Sequence, residues 1–234
     1  MSVSQLLEQL EAFHGVQEPH WPVDPYEFIV WWHCGYPQSE ERCTLGWEAL
    51  KTQVGIEPSQ ILRAGEARLA AALKAGGMVP ELRAFRLQQI AQRVLNEFNG
   101  DLRQALAGPI QGARKILKGF SNIADPGADR ILLFARVAAV AAVPSNCPHV
   151  LVRIVHGAER GNYGVTYREA QEIIEAEVPR DFHARQRSYL LLKTHGQQIC
   201  KSKPQCERCP LRSTCSYAAG LRAAGLDRDG RQKP

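Results

Sequence analysis

Four cysteines within sixteen residues, Cys200, Cys206, Cys209 and Cys215, constrain this chain more than any other feature. Their spacing is C-x5-C-x2-C-x5-C, and the residues between them (KSKPQ, ER, PLRST) are polar and turn-forming. The N-terminus, MSVSQLLEQLEAF, has no basic start, apolar middle or small-residue cleavage site of the secretory kind, so a cytoplasmic chain is expected, nucleoid-associated if bacterial. Thiols in a reducing compartment crowd together to hold a metal or cluster before they pair as disulfides. Four thiolates on a short irregular loop can surround either a tetrahedral zinc or a [4Fe–4S] cube, and spacing alone leaves both open. The other cysteines singled out, Cys43 and Cys147, have no partner at ligand spacing and read as buried thiols.

The 234 residues, 44% hydrophobic and 23% charged, exclude a disordered, collagen-like or coiled-coil chain. The longest apolar run, near Val137–Val143, is far too short to span a membrane, so no membrane partner is expected. The net charge of +5 is mild, but it is concentrated. Residues 103–136 and 193–215 each carry a net +4, which leaves the rest of the chain slightly acidic. Such basic windows on a near-neutral body suit a polyanion-binding face, or else a solvated helix surface.

Apolar residues recur at helical spacing almost throughout, and β-branched alternation is nearly absent, so an all-α fold is expected. Helices are predicted over Ser4–His14, Tyr26–Cys34, Pro58–Ala64, Glu66–Lys74 and Pro80–Phe98, with Ser39 capping another that runs through Trp47 and Leu50. A short basic helix, Gln111–Gly119, leads through the turn FSNIADPG into an apolar helix over Ala128–Val140. Later helices follow near Val150–Gly157, Tyr167–Glu177 and Arg180–His195, the last running straight into the cysteine loop. Trp31, Trp32, His33 and Cys34 fall on a helix that reads as core in preference to a base pocket.

A helical chain of this length, with a central helix–turn–helix (115–134) and LLLKTHGQQICKSKPQCERCPLRSTCSY near its end, resembles the endonuclease III and MutY adenine glycosylase family. The resemblance runs from about Pro25 to Tyr217, with one residue fewer between the first two cysteines than the family usually has. It implies a two-lobed helix-hairpin-helix DNA glycosylase fold and a [4Fe–4S] cluster on the four cysteines. The implied division is a helical barrel lobe at 28–140, a cluster lobe of 1–27 plus 141–219 with its loop at 200–215, and a loose tail at 220–234. The implied partner is double-stranded DNA, damaged or mispaired, bound by a monomer. Its contacts fall on Gln38, which lies near the residue that fills the gap left by a flipped base, and on the hairpin residues Lys115, Lys118, Asn122, Gly127 and Arg130. The cluster-loop cations Lys201, Lys203, Arg208 and Arg212 complete the set.

The chemistry departs from the family. Laid over the hairpin pattern Leu-Pro-Gly-x-Gly-x-Lys-Thr-Ala, the segment from Phe120 to Ala128 has Pro126 at the nucleophilic lysine. At the family's downstream aspartate stands Pro144, and no acidic residue lies between Val137 and Arg153. Cleaving an N-glycosidic bond needs negative charge near C1′ and a water or amine to attack it. The expectation is therefore a base-excision-repair protein that recognises DNA structure or damage without that chemistry. An active glycosylase with relocated groups among Asp125, Asp129, Lys115 and Lys118, and a cluster-based redox-responsive DNA binder, are the alternatives. The family glycines of the turn are replaced by Asn122, which tolerates left-handed backbone, and Ala124, which tolerates it poorly.

Overall fold

The computed structural model describes residues 2–159 and 161–224. The described residues form two compact units, one within 19–137 and the other within 2–18 and 138–224. Among the described residues every regular element is helical. Twelve α-helices follow in order: α1 Val3–His14, α2 Pro25–Gly35, α3 Glu40–Gln53, α4 Pro58–Leu73, α5 Pro80–Phe98, α6 Leu102–Ala105, α7 Ile110–Lys118, α8 Asp125–Phe134, α9 His149–His156, α10 Tyr163–Glu177, α11 Phe182–Gln198 and α12 Ser216–Ala223.

The unit of residues 19–137 is built around α2, which is buried nearly all round. The Asp24 side chain caps it, accepting from the Tyr26 and Glu27 amides at 2.9 and 3.2 Å, and Pro25 supplies a preset first turn. Trp21 packs against Trp31 and Phe134 in this core, so residues 19–27 belong here and not with the N-terminal helix, as the expected boundary at residue 28 had it. The two helices predicted either side of Gly65 run on as α4, whose one non-helical residue is Gly65 itself at φ 72°. Helix α5 spans the predicted residues, opened by Pro80 and closed by Asn99 in the left-handed region.

The hairpin's second helix differs from the expected Ala128–Val140. It starts at Asp125, because proline is tolerated in a first turn, and it stops at Phe134. The apolar run after it is buried without being helical. Two of its carbonyls are met by side chains, Arg185 donating to the Ala139 oxygen and Gln171 to the Ala141 oxygen, while those of Ala138 and Val140 accept from the Val140 and Ala142 amides. In that run apolar composition reports burial, not helix.

The other unit packs Leu6, Leu7 and Leu10 of α1 with Val150, Leu151 and Ile154 of α9, Ala170 and Ile174 of α10, and Leu191 and Leu192 of α11. The caps Asn162 and Asp181 set where α10 and α11 begin. Residues 220–223 belong to α12 and not to a loose tail; the remainder of that expected tail, 225–234, lies outside the described residues.

Gly112, an exposed residue in the first turn of α7, has open space where a Cβ would stand. Gly112→Ala is expected to raise stability by about 0.5–1 kcal/mol, read as a higher denaturant midpoint at unchanged slope. Gly76→Ala should do the opposite, since its Cβ would stand 1.8 Å from the Cys34 carbonyl oxygen.

Candidate functional site

The hairpin is anchored from below by buried Leu117, Phe120 and Ile123. Asn122 occupies the left-handed region at φ 59°, as its side chain permits. Ala124 does not need it: at φ −100° and ψ −174° it is an extended N-cap, and it offers no side chain to the α8 amides. The Ala128 amide is already spent on the Ala124 carbonyl at 2.9 Å, and Pro126 has no N–H. In the first turn of α8, Gly127 is left as a half-buried backbone donor.

An open cleft of about 710 Å³ lies along this turn, lined by Tyr36, Gln89, Arg93, Lys118 and the backbone of residues 119–124. Tyr36 stacks on Trp32 at 4.6 Å. The Arg93 guanidinium lies 4.5 Å from the Phe120 ring, in space that a Cβ on Gly119 would close to 2.5 Å. Buried His33 ties the turn to α2, with its ring nitrogens 2.7 Å from the Ile29 carbonyl and 2.9 Å from that of Ser121. Burial pushes its pKa down, against those two contacts.

In the other unit, Cys200 leaves the end of α11 with its amide on the His195 carbonyl at 2.8 Å. Cys206 and Cys209 bracket a tight turn, and Cys215 opens α12 after the fully buried anchor Leu211. All four thiols are free and line one small apolar cavity with Ile154, Ile199 and Pro204. Among the described residues no three His, Cys, Asp or Glu side chains converge closely enough to hold a single metal ion. The Arg153 guanidinium lies 4.0 Å from the Cys200 sulfur, donates to the Lys201 carbonyl at 2.7 Å and pairs with Glu159. Burial pushes the Cys200 thiol up to about 11, against the pull of Arg153, and the Cys209 thiol up to about 12. A buried thiol of this kind stays protonated unless a metal takes the proton's place.

No family model matches the chain. A Methanocaldococcus jannaschii protein provisionally named a DNA repair glycosylase is 23% identical over 215 residues, which is 91% of this chain and 95% of that protein. A thermostable thymine-DNA glycosylase superposes with a TM-score of 0.73 at 21% identity, covering 93% of this chain and 96% of that one. Endonuclease III in a non-covalent complex with DNA superposes at 0.72 and 15% identity, covering 94% and 97%. The chain has the helix-hairpin-helix DNA glycosylase fold.

On this fold the expected contact residues divide. Lys115, Asn122, Lys201, Lys203 and Arg208 are exposed, and Gln38 is half-buried beside Gly77. Arg212 pairs with Glu207, and Lys118 pairs with Asp125 at 2.6 Å. Arg130 is a correction: it is only 6% exposed, sits 3.6 Å from the Trp21 ring and bonds Glu40 at 2.9 Å, so it cannot meet a phosphate. Asp129 is likewise no free carboxylate, being 2% exposed and held by Arg114 at 2.8 Å. Pro126 stands in the first turn of α8, and Pro144 is buried. The cleft cation Arg93 carried no signal as a site residue and His33 read as core, because the role of each is defined by a neighbour distant in sequence. Among the described residues no helix is long and apolar enough to cross a membrane.

Proposed function

We propose that the protein belongs to base-excision repair as a reader of double-stranded DNA, recognising damaged or distorted sites without the lysine and aspartate chemistry of excision. The observation that carries this reading is a hairpin kept in backbone and charge while the groups at its chemical positions are gone. Pro126 can form no Schiff base, and buried Pro144 offers no carboxylate to a developing oxocarbenium ion. Exposed Lys115 and Asn122, with the Gly127 amide, remain to bind phosphate, while Lys201, Lys203 and Arg208 would add a second basic contact.

The reading includes a [4Fe–4S] cluster on Cys200, Cys206, Cys209 and Cys215. Thiols that share a cavity without converging on one point suit a cube in which each takes its own iron, better than a lone zinc with all ligands about 2.3 Å away. When bound, the cluster supplies a rigid centre for the loop and a site for electron exchange.

Lys118 and Asp125 favour a second reading, since they stay exposed as a pair with Lys118 on the wall of the cleft. A lysine amine there could condense with the aldehyde of an abasic sugar. The test uses duplexes carrying an abasic site, oxidised pyrimidines, mispaired adenine, uracil or alkylated purines. Gel shifts report binding, borohydride reports trapping, and alkali after incubation reports excision. Binding of altered over intact duplex with neither trapping nor excision is the expected result. Trapping that disappears in Lys118→Ala would replace it with the second reading, and no preference for any duplex would end both.

A further inference from the structure

His14 and His195 lie outside everything proposed for the DNA surface, yet they meet at the cysteine loop. The His195 ring is 1% exposed. Its Nε2 stands 3.6 Å from the Cys209 sulfur, and its Nδ1 stands 3.1 Å from Nε2 of His14, 181 positions away on α1. The two rings meet edge to face at 5.4 Å. His14 is half-buried at the outer end, where Gln198 also hydrogen-bonds it with an amide that can donate or accept.

We propose that these two imidazoles form a directed hydrogen-bond chain, His14 to His195 to Cys209, that draws electron density from the cluster sulfur and holds the cluster in its more reducible form. The proposal rests on the [4Fe–4S] reading above. Its direction follows from chemistry. A metal-bound thiolate is acceptor-only, so the His195 nitrogen facing it must be the N–H donor. A neutral imidazole has one donor and one acceptor, which makes Nδ1 of His195 an acceptor and Nε2–H of His14 its donor. A donor to a ligating sulfur stabilises the extra negative charge of a reduced cluster, and a second imidazole polarising the first strengthens the effect. Arg153 donates likewise to Cys200 at 4.0 Å, so two of the four sulfurs are met by donors of this chain.

The experiment is a redox titration of purified full-length protein, wild type against His195→Leu, His195→Gln and His14→Leu. Iron content and visible absorbance are measured on the same samples. Leucine at 195 is expected to lower the reduced-to-oxidised ratio at a fixed potential about tenfold, ~59 mV for one electron. Glutamine, which keeps an N–H donor, restores most of it, and His14→Leu moves it the same way by less. Equal potentials in wild type and His195→Leu at full iron content overturn the proposal, as does a glutamine variant that behaves like leucine. Should His195→Leu fail to fold, half-buried His14→Leu together with nitrogen NMR of the two rings decides it. Nε2–H tautomers in both rings support the chain, and a His195 Nδ1–H tautomer overturns it. Protein that contains no iron overturns the cluster reading instead, and with it the proposal.

Discussion

Cys206→Ser protein is expected to emerge colourless, with iron near zero and with its cysteine loop open to trypsin at Lys201 and Arg208. Little besides ligation can hold that loop. Between Cys200 and Cys215 its backbone bonds are mostly single turns, such as Cys209 to Cys206 at 3.2 Å and Arg212 to Cys209 at 3.2 Å, only Pro204 and Leu211 are buried, and the ties to α9 reach no further than Lys201, whose carbonyl accepts from Arg153. Binding free energy at such sites is folding free energy, on the order of 10 kcal/mol for structural metals. Its loss should be felt through Cys200 and Cys215, which are part of the core shared with α9 and α12. The expected pattern is a lower melting temperature for the unit of 1–18 and 138–224, with the unit of 19–137 less affected. Cys147→Ala is the control, a buried thiol outside the loop whose removal should cost about 1 kcal/mol and leave the iron in place. A brown, trypsin-resistant Cys206→Ser would show that the four sulfurs do not act together.

What could be read from the sequence follows from how local each signal is. The crowding of the four cysteines was legible because they are neighbours in the chain, and the structure brings them to one cavity. Helix α5 was legible because Pro80 and Asn99-Gly100 mark its ends with residues whose backbone preferences are strong. Gly65 was correctly seen as a break, although the chain continues through it as α4. Residues 135–140 were misread because periodicity registers burial, and Arg185, which meets the Ala139 carbonyl, lies 46 positions away. Arg130 was misread for the same reason. A cation after a hairpin suggests phosphate, and nothing local says that Glu40 and Trp21 have claimed it. The His14–His195 contact spans nearly the whole chain and has no sequence signature at all.

Arg114→Met should destabilise the unit of 19–137 by about 3 kcal/mol and weaken DNA binding with it. Arg114 on α7 reaches Asp129 on α8 at 2.8 Å, so one ion pair pins together the two helices that present the turn. Removing one partner of a buried pair costs about 3–5 kcal/mol, because the carboxylate is left in the core without its cation. Asp129 is 2% exposed but the Arg114 side chain is 26% exposed, so the low end applies. Asp129→Asn should cost less, since an amide is cheaper to bury than an unpaired charge. The double variant is expected to be more stable than the sum of the two losses by at least about 1 kcal/mol, the mark of direct coupling, as read from denaturant midpoints at unchanged slope. Binding to an abasic-site duplex should track stability across the three variants if, as proposed, the hairpin holds backbone and lysines in register for DNA. Additive losses would mean that other contacts of Asp129 pin the helices. A double variant that folds and binds DNA yet lacks an excision activity present in the wild type would make Asp129 a chemical group and overturn the DNA-reader assignment.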